Sequence, residues 1–246
     1  FIIYKVIQFR EKRMLQIERI ANEREFLLQE LRISQLSTIK AQMNPHFIFN
    51  ALNSIQNFIF KNDRVLANTY LGKFSDLMRL ILKQSNEAKI TLEDELKALN
   101  LYLELESVRF KEHLSYSIDF DSVKDLNSIL IPSMIIQPYV ENAIKHGILH
   151  KKNDGKVAIT FNIKDDLLLV EIKDDGIGRK KSEEIQLKKI RKFESFATKA
   201  TEKRLLLLNQ DLNKTIHVTF TDLYDESGNS NGTLVQLSIP IFKQDE

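Results

Sequence analysis

Ala41-Gln42-Met43-Asn44-Pro45-His46-Phe47-Ile48-Phe49-Asn50-Ala51-Leu52-Asn53 is the stretch around which the chain is organised. An α-helix turns by about 100° per residue. On that wheel Ile48, Leu52, Ile55 and Ile59 form an apolar stripe, and His46, Asn50, Asn53 and Asn57 form a polar stripe nearly opposite. The spacing predicts an amphipathic helix that buries the first stripe and offers the histidine to solvent or to another part of the molecule. Pro45 removes a backbone donor just before His46 and favours a kink there. An imidazole is partly unprotonated near neutral pH and can act as a nucleophile. A surface histidine on an ordinary bundle helix fits this stretch equally well.

Downstream of the histidine, Asn62-Asp63 marks a turn and a helix start. Ala67, Leu71, Phe74, Met78 and Ile81 then lie on one helical face. Two such helices make a hairpin whose apolar faces one copy buries poorly, so a four-helix bundle in a homodimer is expected. Thr91-Leu92-Glu93-Asp94 opens a third helix, to about Val108. Upstream, Glu11 to Lys40 has no glycine or proline, and Met14, Ile17, Ala21, Leu28 and Leu31 fit a heptad seam interrupted by Arg24. A parallel coiled coil follows from that spacing. Phe1 to Phe9 is apolar but short, and Arg10, Lys12 and Arg13 come next, like the cytoplasmic end of a transmembrane helix. The chain starts at Phe1 rather than Met. It is therefore expected to be the cytoplasmic portion of a longer, membrane-tethered protein.

Beyond Leu114 the pattern changes to alternation. Strands are expected over Ser115–Phe120, Lys156–Ile163, Leu167–Lys173, Ile216–Thr221 and Leu234–Ile239, with a hairpin turn at Asp165-Asp166. Pro132-Ser133 is read as the start of a helix that Gly147 ends, and Lys203–Leu212 as another helix. Arg179–Lys199 reads as a polar, basic, mobile stretch. The fold class is thus α+β: coiled-coil helix (1–38), helical hairpin and third helix (39–110), then an α/β sandwich (111–246).

Composition limits the chemistry. The 246 residues are 43% hydrophobic and 28% charged, with 36 basic and 34 acidic residues giving a net charge of +2. That balance argues against bulk nucleic-acid binding. No cysteine is present, so disulfides and thiol chemistry are excluded. The five histidines have no metal-ligand spacing. Two clusters remain. Glu141-Asn142-Ala143-Ile144-Lys145-His146-Gly147 offers an amide oxygen of the kind magnesium accepts, and a lysine for phosphate. Asp174-Asp175-Gly176-Ile177-Gly178 offers a carboxylate for an adenine amino group beside glycines that let a ligand approach. Asp174 ends a strand at a turn, so its carboxylate is expected outside the core.

Taken together and in order, these segments resemble the LytS-type sensor histidine kinases. Asn44–Asn50 is similar to that family's phosphoacceptor motif, Glu141–Gly147 to its asparagine box, and Asp174–Gly178 to its first glycine box, with Gly232-Thr233 before a closing strand. The resemblance spans Ile39 to Pro240 and implies a phosphotransfer bundle followed by a Bergerat-type ATP-binding domain. It implies His46 as phosphate acceptor, Asn142 as holder of magnesium, Lys145 and His146 near phosphate or ribose, and Asp174 on adenine. Gly176 and Gly178 would shape the turn under ATP, and Arg179–Lys199 would be a lid. A response regulator is the implied recipient of the phosphate. One departure stands out: the family's second glycine motif is absent from Ser195–Leu205. Thr198, Lys199, Thr201 and Arg204 are candidates for the lost phosphate contacts. Residue 47 is phenylalanine rather than an acid, and Asn50 is a candidate to position water for dephosphorylation. A degenerate kinase that binds nucleotide weakly and signals by conformation, or a coiled-coil interaction module without enzymatic activity, are the alternatives.

Overall fold

The computed structural model describes residues 12–19, 45–111, 113–120, 123, 125–151, 153–188, 195–211 and 215–242; the side chains of 45, 46, 186–188, 195–200, 210 and 211 are outside that description. Most of the expected coiled coil (1–38) therefore lies outside the described residues. Its described part, α1 over 12–19, is an exposed helix. No helix among the described residues is long and apolar enough to cross a membrane.

Helices α2 (Pro45–Phe60) and α3 (Arg64–Gln84) form the expected hairpin, and Asp63 caps α3 by accepting the Leu66 N–H at 3.0 Å. The apolar stripe on α2 is not the one the spacing predicts. Ala51 is buried and Phe47, Ile55 and Phe58 pack on the core, whereas Leu52 and Ile59 remain half or more exposed, with Phe49 and Phe60. The reason is that α2 is apolar on two faces, and one copy of the chain covers only one of them. On α3 the buried residues are Ala67, Tyr70, Leu77 and Ile81; Leu71, expected inside, is exposed.

Strand β1 (Lys89–Thr91) leads into α4 (Leu92–Arg109), whose N-cap Thr91 accepts the Asp94 N–H at 3.1 Å as the capping pattern predicts. Leu92, Leu96, Leu99, Tyr102 and Leu103 are buried along α4, in one core that runs from Ala51 to Ile239. Helix α4 thus serves both the hairpin and the sandwich.

β2 (Leu114–Asp119), β4 (Gly155–Lys164), β5 (Leu167–Asp174), β7 (Ser230–Pro240) and β6 (His217–Tyr224) form a sheet in the order β2-β4-β5-β7-β6, parallel only between β2 and β4. The alternation read from sequence sets its buried face: Ile159 is opposite Ile172, and Ile172 opposite Val235. Asp165 and Asp166 make the expected tight turn, both with positive φ (51° and 59°), which Asp tolerates better than most residues.

Three elements differ from expectation. Pro132 does not open a helix; it ends β3 (Leu130–Pro132), which pairs antiparallel with β1. The helix starts five residues later as α5 (Gln137–Asn142), with Pro138 in the first turn, where its missing donor does no harm. It continues as a π-helix over Ala143–Ile148. Finally, the basic stretch is not a plain loop: it forms α6 (Arg179–Lys188), and the next helix, α7 (Ser195–Asp211), starts well before Lys203. Its residues are good helix formers without glycine or proline, and that local preference prevails.

Candidate nucleotide and phosphoacceptor site

The Glu141–Gly147 and Asp174–Gly178 segments meet backbone to backbone. The Ile177 N–H donates to the Gly147 carbonyl at 3.2 Å. A Cβ on Gly147 would stand 2.6 Å from Asp174 Oδ1, and one on Gly176 would run into the Gly147 backbone. Only glycine permits this approach at both positions. The π-helix belongs to the same device, since a wider turn carries Gly147 onto the end of β5; π turns recur at functional sites. Gly178 closes the turn with φ +76°.

Asp174 is buried, contrary to the expectation from its place at a turn. Alternation explains it: Leu168, Val170, Ile172 and Asp174 are successive inward positions of β5. Burial pushes the Asp174 carboxyl up to about 6, against the pull of the Gly176 and Thr233 N–H groups. The Gly176 N–H donates to Oδ1 at 2.9 Å. Its neighbour Asp175 faces outward, accepting the Lys156 N–H at 2.7 Å and pairing with Lys151 Nζ at 2.8 Å.

Asn142 ends α5 half-buried, and its side chain has no hydrogen-bond partner among the described residues. Its amide oxygen suits a hard cation. No group of three or more His, Cys or acidic residues among the described residues could hold a metal alone. Arg179 at the start of α6 is held by Asp222 through two bonds of 2.8 and 3.0 Å.

Asn50 and Lys145 come together from different elements. They line a narrow cleft between α2, α4 and the π-helix with Phe47, Tyr102, Glu106, Arg109 and Glu141. The Phe47 ring lies 5.4 Å from Tyr102 and 6.1 Å from Phe74. Glu106 is paired with Arg109, while burial and then the Glu106 charge push Glu141 up to about 7. Gln137 Nε2 donates to Glu141 Oε1 at 3.0 Å. His46 lies on α2 one turn before Asn50, its side chain outside the described residues, as is that of Thr198.

Arg204, expected to meet phosphate, is turned inward instead. It is 3% exposed and donates to the carbonyls of Ser133 and Met134. Its position on α7 faces the core, so the guanidinium is used inside the protein. Sequence reading does not single out Glu95 or Glu106, and takes Glu141 only as the first residue of its cluster. The signal was there for Glu106: with Leu99, Tyr102 and Leu103 it keeps the helical spacing of a buried face, where a carboxylate needs a reason.

A family model described as histidine kinase matches residues 34–114. The sensor histidine kinase BtsS of Escherichia coli K12 is 35% identical over 163 residues, covering 66% of this chain and 28% of BtsS. The sensor protein LytS of Staphylococcus epidermidis is 35% identical over 152 residues, 61% of this chain and 25% of LytS. The chain thus spans about a quarter of the length of these relatives. Among solved structures, the catalytic domain of histidine kinase ThkA is 14% identical with a TM-score of 0.42, covering 62% of this chain and 94% of that one.

Proposed function

Since the chain belongs to the LytS-type sensor histidine kinases, we propose that it binds ATP with magnesium, moves the γ-phosphoryl group to His46, and passes it on to an aspartate of a response regulator. The observation that carries this reading is the junction of Gly147 with the Asp174–Gly178 turn. It brings a free amide oxygen, Asn142, and a buried carboxylate, Asp174, to one wall of the molecule. ATP supplies the phosphoryl group, and magnesium, when bound, offsets triphosphate charge.

The protein's task in such a transfer is positioning and charge stabilisation. Asp174 accepts a hydrogen bond from the adenine amino group. Gly176 and Gly178 keep the turn beneath the base free of side chains. Asn142 holds magnesium, and His146 and Lys145 serve the ribose or phosphates. Helix α6 and the start of α7, with Thr198, act as the lid. Asn50 shares its cleft with Lys145, which supports a close approach of the phosphoacceptor helix to this wall. Asn50 then positions water when the phosphate is removed.

The second apolar face of α2, with Phe49, Leu52, Ile59 and Phe60 exposed, supports a homodimer joined through the hairpins. The proposed division of labour is a membrane-proximal coil (1–38), a phosphotransfer unit (39–110) and an ATP-binding unit (111–246), on the cytoplasmic side of a membrane.

The test is incubation with γ-labelled ATP and magnesium. Acid-labile label is expected on the parent chain and absent from His46→Gln, which still binds a non-hydrolysable analogue. Label that persists in His46→Gln removes His46 from the reaction. Binding without label would favour a degenerate kinase that signals by conformation, a reading the glycine-free helix α7 also fits.

A further inference from the structure

The turn that leads into the helix of Asn142 is gripped from both sides by buried charge. Met134 sits in this turn with φ +54° and is buried. A bulky side chain in the left-handed region is strained and persists only where its surroundings hold it. Helix α5 has no cap of its own, for its N-cap position is Ile136. The hydroxyl of Ser133 is engaged elsewhere, donating to the Gln84 carbonyl at 2.6 Å.

The missing acceptor comes from α4. Glu95, fully buried, accepts the Ile136 N–H at 3.3 Å, and the N–H groups of Gln137 and Met134 also favour its charge. The carbonyls of the same turn are taken by α7. Arg204 Nη1 donates to Met134 O at 3.1 Å, and Nη2 donates to Ser133 O. A carboxylate thus holds the donors of one strained turn while a guanidinium holds its acceptors. Burying two such charges costs more than it returns in stability unless the geometry matters, because apolar residues of similar volume usually serve as well.

We infer that Glu95 and Arg204 are positioning residues of the nucleotide site: by clamping the turn over residues 133–136 they fix the helix of Asn142 against Asp174 and tie the lid-side helix α7 to it. The inference rests on the nucleotide site proposed above. It also links α4, which lines the Asn50 cleft, to α7 through the start of α5.

The 246-residue chain is compared with Glu95→Ala, Glu95→Gln, Arg204→Ala and Arg204→Lys at a temperature where each is folded. The probes are calorimetric binding of a non-hydrolysable ATP analogue with magnesium, and amide hydrogen exchange. Both alanine variants should bind the analogue roughly tenfold more weakly, the effect of losing a buried charged hydrogen-bond partner. Glu95→Gln keeps an acceptor for Ile136 and should recover most of the affinity. Arg204→Lys should recover little, since an ammonium lacks the planar fork that reaches two carbonyls. Exchange should quicken over 134–148 and stay unchanged in β4 and β5. Should the alanine variants not fold, the ordering of Glu95→Gln above Arg204→Lys remains the measured difference. Wild-type affinity in folded variants whose melting temperature alone is lower overturns the inference, as does exchange that quickens evenly along the chain. If the parent chain binds no analogue, the nucleotide reading fails by itself, and the exchange pattern still decides whether the clamp fixes the helix of Asn142.

Discussion

Replacing Asp174 by Asn should weaken nucleotide binding while leaving folding stability nearly unchanged. Its carboxyl is raised from 3.8 to about 6, chiefly because β5 buries it. At about 1.4 kcal/mol per tenfold change in proton affinity, the ionised form is penalised in the free protein by on the order of 3 kcal/mol. Asn removes that penalty but has one oxygen for the two N–H groups, of Gly176 and Thr233, that favour the carboxylate, which costs about 1–3 kcal/mol. The net change in stability at pH 8 should therefore lie near zero or be slightly favourable. Loss of the charge-assisted bond to adenine costs about 1.5–3 kcal/mol, roughly 10- to 150-fold in affinity. Urea unfolding and calorimetry with an ATP analogue measure the two effects on the same samples. A control comes from pH. The parent should lose affinity as pH falls through about 6 and Asp174 takes up a proton, while Asp174→Asn stays flat. Affinity kept within twofold, or the same pH profile in both proteins, would refute the assignment of Asp174 to the base.

Gly176→Ala sets a methyl against the Gly147 backbone and should cost on the order of 1–3 kcal/mol, with loss of analogue binding; an unchanged urea midpoint would show that the two segments can part freely. Leu52→Glu with Ile59→Glu puts charge on the exposed face of α2 and should leave a folded monomer in sedimentation, whereas a persisting dimer would place the interface elsewhere. Stability should also depend on pH through Glu95 and Asp174, both raised by burial, to about 7 and about 6. Groups raised in the folded state contribute fully below their unfolded values and lose that contribution as pH rises through the folded ones. The melting temperature should thus fall between about pH 4 and pH 7, from the unfolded values to the folded ones; a rise over that range would contradict the burial of these carboxyls.

Local patterns in the sequence determined much of this molecule. Capping at Asp63 and Thr91, the Asp165-Asp166 turn and the alternation of β4, β5 and β7 depend on neighbours a few residues apart, so they are legible without a fold. The order of His46, Asn142, Asp174 and the glycines pointed to the family for the same reason: each motif is short and contiguous. What tertiary structure decided depends on residues far apart in the chain. Which face of α2 is buried was undetermined, because two faces are apolar and the choice falls to what α3 and α4 present. The late start of α5 follows from the pairing of Pro132 with Lys89, and its cap is supplied by Glu95 of another helix. Arg204 looked like a phosphate ligand by type and place, yet the turn at Met134 claims it. Asp174 is an inward position of β5, and the backbone contact that Gly147 and Gly176 permit closes over it, which raises its pKa. A sequence shows which groups are available; long-range packing sets their solvation and their partners, and those set their chemistry.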